Sequence, residues 1–76
     1  MNQDRRKQIQ EALDKIRDGL SELENARDDE QEYYDNMPES LQSGEKGQKA
    51  EEATSNLDDA ISNIEDAIST AESALD

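Results

Sequence analysis

Residues 57–70 are one seven-residue phrase written twice: Leu57-Asp58-Asp59-Ala60-Ile61-Ser62-Asn63, then Ile64-Glu65-Asp66-Ala67-Ile68-Ser69-Thr70. The same phrase extends back to Ala50 and forward to Leu75. With the first residue of each phrase as position a, that position holds Ala50, Leu57, Ile64 and Ala71. Position d holds Ala53, Ala60, Ala67 and Ala74, and position e holds Thr54, Ile61, Ile68 and Leu75. These three positions adjoin on an α-helix and make one apolar stripe. Positions b and c carry Glu51, Glu52, Asp58, Asp59, Glu65, Asp66 and Glu72, while f and g carry Ser, Asn and Thr. A stripe of constant register predicts a long, straight helix. Alanine recurring at d predicts a second backbone close by, near the lower end of the usual interaxial range of roughly 8–10 Å.

The first half follows the same logic. Ile9, Leu13, Ile16, Leu20 and Leu23 are spaced 4, 3, 4 and 3. With Leu13 and Leu20 at a, the d positions are Ile9, Ile16 and Leu23, and the g positions are Ala12, Gly19, Ala26 and Tyr33. Ala12, Gly19 and Ala26 are the expected small counterparts of the alanines at d. The apolar pattern weakens at Arg27 and Glu30, which occupy a and d, and returns at Tyr33 and Tyr34.

Between the halves stands YYDNMPESLQSGEKGQ. Pro38 breaks the helix and pushes Met37 out of helical geometry. Asp35 or Asn36 is expected to cap a short turn with Pro38 at its first position. Ser43 or Gly44 then opens the second helix, and Gly47 frays its start at about 1 kcal/mol relative to alanine. The expected organisation is one all-α unit over 1–76: helix 1 about 3–34, a joint over 35–43, and helix 2 about 44–75. Equal lengths and a short joint predict an antiparallel hairpin, with Arg5-Arg6-Lys7 beside Glu72 and Asp76. An opened helix exchanged with a second copy satisfies the same heptads, but Pro38 and the glycines oppose it.

Composition limits how such a hairpin is stabilised. The chain has 76 residues, of which 30% are hydrophobic and 38% charged, and Tyr33 and Tyr34 are its only aromatics. So few apolar residues make a small core for a monomer. Docking two hairpins into a four-helix bundle or coiled coil covers the stripes that one hairpin leaves wet. The expected partner is therefore a second copy. The oligomer core is expected at Ile9, Leu13, Ile16, Leu20, Leu23, Leu57, Ala60, Ile61, Ile64, Ala67 and Ile68.

The net charge is −13, and it is unevenly placed. Residues 1–20 carry five basic and four acidic residues, a net of +1; the rest carry three basic and 17 acidic, a net of −14. Such a surface repels nucleic acid and anionic lipid and attracts basic proteins. No apolar run approaches the roughly 18 residues that cross a bilayer. The start, MNQDRRKQIQ, has no apolar stretch after its basic residues and so does not read as a secretory signal. The expected location is the cytoplasm.

The residues of catalysis are missing. There is no His and no Cys, and neither a phosphate loop nor a serine elbow. The carboxylates sit at b and c, the most solvated positions of the helix, which is no place for an acid–base pair. No enzyme, cofactor or metal is expected: di-iron bundles need inward Glu and Glu-x-x-His pairs, and no loop resembles a calcium-binding EF-hand. The acidic row Glu51, Glu52, Asp58, Asp59, Glu65, Asp66 and Glu72 reads either as a solvating face or as a nucleic-acid mimic. Its doublets recur every roughly 10.5 Å along the helix, wider than the phosphates of one strand. Tyr33, Tyr34, Met37, Pro38 and Leu41 read either as the last core layer or as a partner-binding tip.

The stretch EYYDNMPESLQSGEKGQKAEEA, Glu32 to Ala53, resembles a motif of small acidic helical proteins encoded by phages, prophages and other mobile elements. That motif runs from an aromatic through Asp-Asn-Met/Ile-Pro-Glu-Asn-Leu-Gln to a Ser/Gly/Glu-rich turn and an acidic, alanine-rich heptad helix. Tyr34, Asp35, Asn36, Met37, Pro38, Glu39, Leu41, Gln42 and Ser43 fit it, and Ser40 stands where Asn is frequent. The resemblance implies a context and no particular chemistry: such proteins often act by blocking a host protein, in the host cytoplasm. The expected function is thus a non-catalytic inhibitor, directed at a defence or DNA-binding factor with a basic surface. A structural coiled-coil scaffold is the alternative. A small-ligand sponge is a second alternative, disfavoured because cyclic nucleotides share the sign of the surface.

Overall fold

In the computed structural model, which describes residues 1–76, the chain folds into three helices and no strand: α1 (Gln3–Asp35), α2 (Glu39–Gln42) and α3 (Glu45–Ser73). Asn2 caps α1, its side-chain oxygen accepting from the Arg5 amide at 2.8 Å. The helix then runs unbroken, since no glycine or proline but Gly19 interrupts 33 residues of good helix formers. It ends because Pro38 bars the next turn. Asn36 takes the C-terminal cap rather than opening a new turn, and its amide donates to the Glu32 carbonyl at 3.0 Å. Pro38 is itself the N-terminal cap of α2 and accepts from the Leu41 and Gln42 amides at 2.9 and 3.0 Å. The joint is therefore a one-turn helix with its own hydrogen bonds. The Gln42 side-chain amide ties it down by donating at 3.0 Å to the Tyr34 carbonyl, which also accepts from the Met37 amide at 3.0 Å.

The long helices pack along their length as an antiparallel hairpin, a rod of 59 × 15 × 13 Å. On α1 the inward line keeps the expected frame. Leu13 is buried, and Ile9, Leu20, Leu23, Arg27, Glu30 and Tyr34 are half-buried, as is Met37 just beyond the helix. Two polar residues thus hold core positions, because the seven-residue frame continues through Arg27 and Glu30 even where its apolar content lapses. Ile16 is the exception at 45% exposure.

On α3 the buried line is a and e: Gly47, Ala50, Thr54, Ile61 and Ile68 are buried, and Leu57, Ile64, Ala71 and Leu75 half-buried. The expectation that d marks the closest approach is corrected. Ala53 and Ala60 are half-buried, and Ala67 and Ala74 are exposed. Larger side chains at e win the centre of the seam, and the alanines are left on its flank. The expected counterparts on α1 do not meet a backbone either. Ala12 and Ala26 are exposed, and a methyl group at Gly19 would find nothing within 4 Å. The close approach lies instead at Gly47, expected to fray the helix: a Cβ there would sit 2.0 Å from the Gln42 carbonyl oxygen. Gly47 is what lets α2 fold back onto the first turn of α3.

Candidate functional site

All seven carboxylates at b and c of α3 are exposed, but the two rows differ. Seen down α3, b and d flank the a–e seam on opposite sides. Row b borders α1, and three of its four carboxylates meet α1 side chains there. Arg17 Nη2 lies 3.2 Å from Glu72, and Arg27 Nη1 lies 3.1 Å from Asp58. The Tyr34 phenol faces Glu51, which as acceptor and as charge, with help from burial, raises the phenol above its ordinary 10.0. Asp58 and Asp28 together hold the Arg27 guanidinium still more firmly protonated. From Arg27 to Tyr34 is one heptad forward, and from Asp58 to Glu51 is one heptad back. This ladder matches the antiparallel register step for step. Row c makes no such pairs: Glu52, Asp59 and Asp66 project outward without an ion-pair partner, as does Glu65 of row b.

The basic start of the chain docks as expected in place but not in partner. Arg6, not Arg5 or Lys7, reaches α3, and its guanidinium donates to the Leu75 carbonyl. That carbonyl is a natural acceptor, lying where the helix dipole is negative. Glu72 is met by Arg17 instead. The tip residues divide. Tyr34 and Met37 are half-buried in the end of the hairpin, whereas Tyr33 is 52% exposed, Leu41 is 47% exposed and Pro38 is exposed.

Two polar clefts open beside this joint. The larger, about 640 Å³, lies among the end of α1, α2 and the start of α3; the smaller, about 330 Å³, lies further along the seam. Tyr34 and Glu51 line both. Thr54 lines the smaller one, and its hydroxyl is the one buried side-chain polar atom with no hydrogen-bond partner. Sequence reading did not single out Arg27, Thr54 or Arg17. The available signal was polar: Arg27 breaks an apolar frame, and Thr54 is the one polar residue at e. No three acidic or other ligating side chains converge as a metal cage, and no helix is long and apolar enough to cross a membrane. Comparison with family models, with curated proteins and with solved structures finds no match.

Proposed function

We propose that this chain is a non-catalytic acidic binding protein of mobile-element origin that covers a basic surface of a host protein, such as a DNA-binding or defence factor. The observation that carries the reading is the unpaired row Glu52, Asp59, Asp66 together with Glu65. These charges are held on a 29-residue helix, stiffened by a second helix behind it, at a repeat of roughly 10.5 Å. A rigid row of one sign meets a basic surface without ordering itself first, and so loses little conformational entropy on binding.

The protein is proposed to act as a homodimer. The second copy would cover the flank where Ala60, Ala67 and Ala74 open away from the ion pairs. The Ile16 side of α1 borders that flank, because Arg17, on the other side, faces Glu72. The same flank is what favours the second reading, a structural coiled-coil scaffold.

The test is capture of host proteins at low and at high salt, with the chain and with Glu52→Gln/Asp59→Asn/Asp66→Asn. A basic protein held at low salt, released at high salt and lost in the triple variant is the expected result. Capture that ignores both salt and the triple substitution would sink the reading.

A further inference from the structure

The smaller cleft is lined by Gln31, Tyr34, Glu51, Thr54, Ser55 and Asp58. It is polar on every wall but one, and no basic side chain lines it. One edge already has a guanidinium at it, since Arg27 reaches over from α1 to Asp58 at 3.1 Å. The opposite edge ends in the Glu51 carboxylate. Between them lies Thr54, only 9% exposed. A helical threonine can satisfy its hydroxyl by bonding back to the carbonyl four residues earlier. Thr70 does so with Asp66 at 3.0 Å. Thr54 has no partner at all, and a buried hydroxyl left so is costly.

Resting on the reading of the chain as a binder of basic proteins, we propose that this cleft is a socket for one arginine side chain of that partner. A guanidinium is flat, carries five N–H donors on three sides and stacks on aromatic rings. The socket offers matching groups: the Glu51 carboxylate and the Thr54 hydroxyl as acceptors, the Gln31 amide oxygen as a third, and the Tyr34 ring as a face to stack on. Lysine fits it less well, because its ammonium is compact and strongly hydrated and reaches fewer of these acceptors at once. A metal ion fits worse, since no three ligating side chains converge here. An anion is repelled by Glu51 and Asp58.

The test is a backbone-amide NMR titration of the whole chain with N-acetyl-arginine amide and, separately, N-acetyl-lysine amide. Arginine is expected to give saturable shifts centred on Gln31, Tyr34, Thr54 and Ser55, at lower concentration than lysine. Glu51→Gln should weaken the arginine response about tenfold, as loss of a charged hydrogen bond does. Thr54→Val should weaken it too, with helix content unchanged by circular dichroism. Shifts that do not saturate, or that spread along Glu52, Asp59 and Asp66, would overturn the socket and leave the acidic row as the whole binding surface. Saturable arginine binding in the cleft by a chain that captures no basic protein would uphold the socket and sink the blocking function instead.

Discussion

A methyl group at Gly47 would collide with the backbone of Gln42, 2.0 Å from its carbonyl oxygen, while one at Gly19 would meet open space. The two substitutions therefore have opposite signs. Gly19→Ala raises helix propensity by about 1 kcal/mol and displaces nothing. Gly47→Ala gains the same propensity but must push α2 off α3. Overpacking of that kind costs about 1–3 kcal/mol, and the lost hydrogen bond from Gln42 to Tyr34 adds to it. Urea denaturation should show the first variant more stable by up to about 1 kcal/mol and the second less stable by about 1–2 kcal/mol. The sequence reading reversed these roles, taking Gly19 as the close approach and Gly47 as a frayed start. Spacing shows where a small residue recurs. It does not show whether another backbone lies opposite, which depends on how a neighbouring loop returns.

At the scale of the element, the heptad frame carried most of the prediction. Helix type, the break before Pro38 and the apolar stripe of α1 all follow from period and from proline's missing N–H. The choice between d and e as the centre of the α3 seam did not follow, because both adjoin a and both are small or apolar. The rotation of one helix about its axis is set by which side chains fill the gap, and Ile61 and Ile68 fill it better than Ala60 and Ala67. The lapse at Arg27 and Glu30 is informative for the same reason. Both stay half-buried in the frame, and Arg27 pairs with Asp58 and Asp28. Pairs of this exposure contribute roughly 0–1 kcal/mol. Two leucines there would restore the 4, 3 spacing and bury apolar area at about 25 cal/mol per Å². Arg27→Leu/Glu30→Leu should therefore raise stability by about 1–2 kcal/mol in urea titration. A loss instead would mean that the ladder of Arg27 and Tyr34 with Asp58 and Glu51 holds the register of the hairpin.

For the whole molecule the question is what one hairpin leaves uncovered. A compact monomer of 8.5 kDa exposes about 4,650 Å² by the usual surface scaling. This rod exposes 5655 Å². The excess of about 1,000 Å² is of the size that one partner buries in a standard interface, about 800 Å². Charge says which side a second copy takes. Two chains of −13 repel wherever acids face each other, but position g, next to the alanines of α3 on the side away from row b, holds Asn56, Asn63 and Thr70. That side has alanine, amide and hydroxyl and no carboxylate, so it is where two copies approach at least electrostatic cost. Sedimentation equilibrium should find twice the 8.5 kDa chain mass, and the association should tighten as salt screens the residual repulsion. Binding to a basic protein must move the other way, weakening with salt, so one salt series separates self-association from target capture. Ala67→Asp places a carboxylate in the middle of the proposed interface while leaving the hairpin seam untouched. It should give a helical chain of single mass. If that variant still sediments as two copies, the alanine flank is not the contact, and the exposed Tyr33 and Leu41 of the joint become the surface to substitute next.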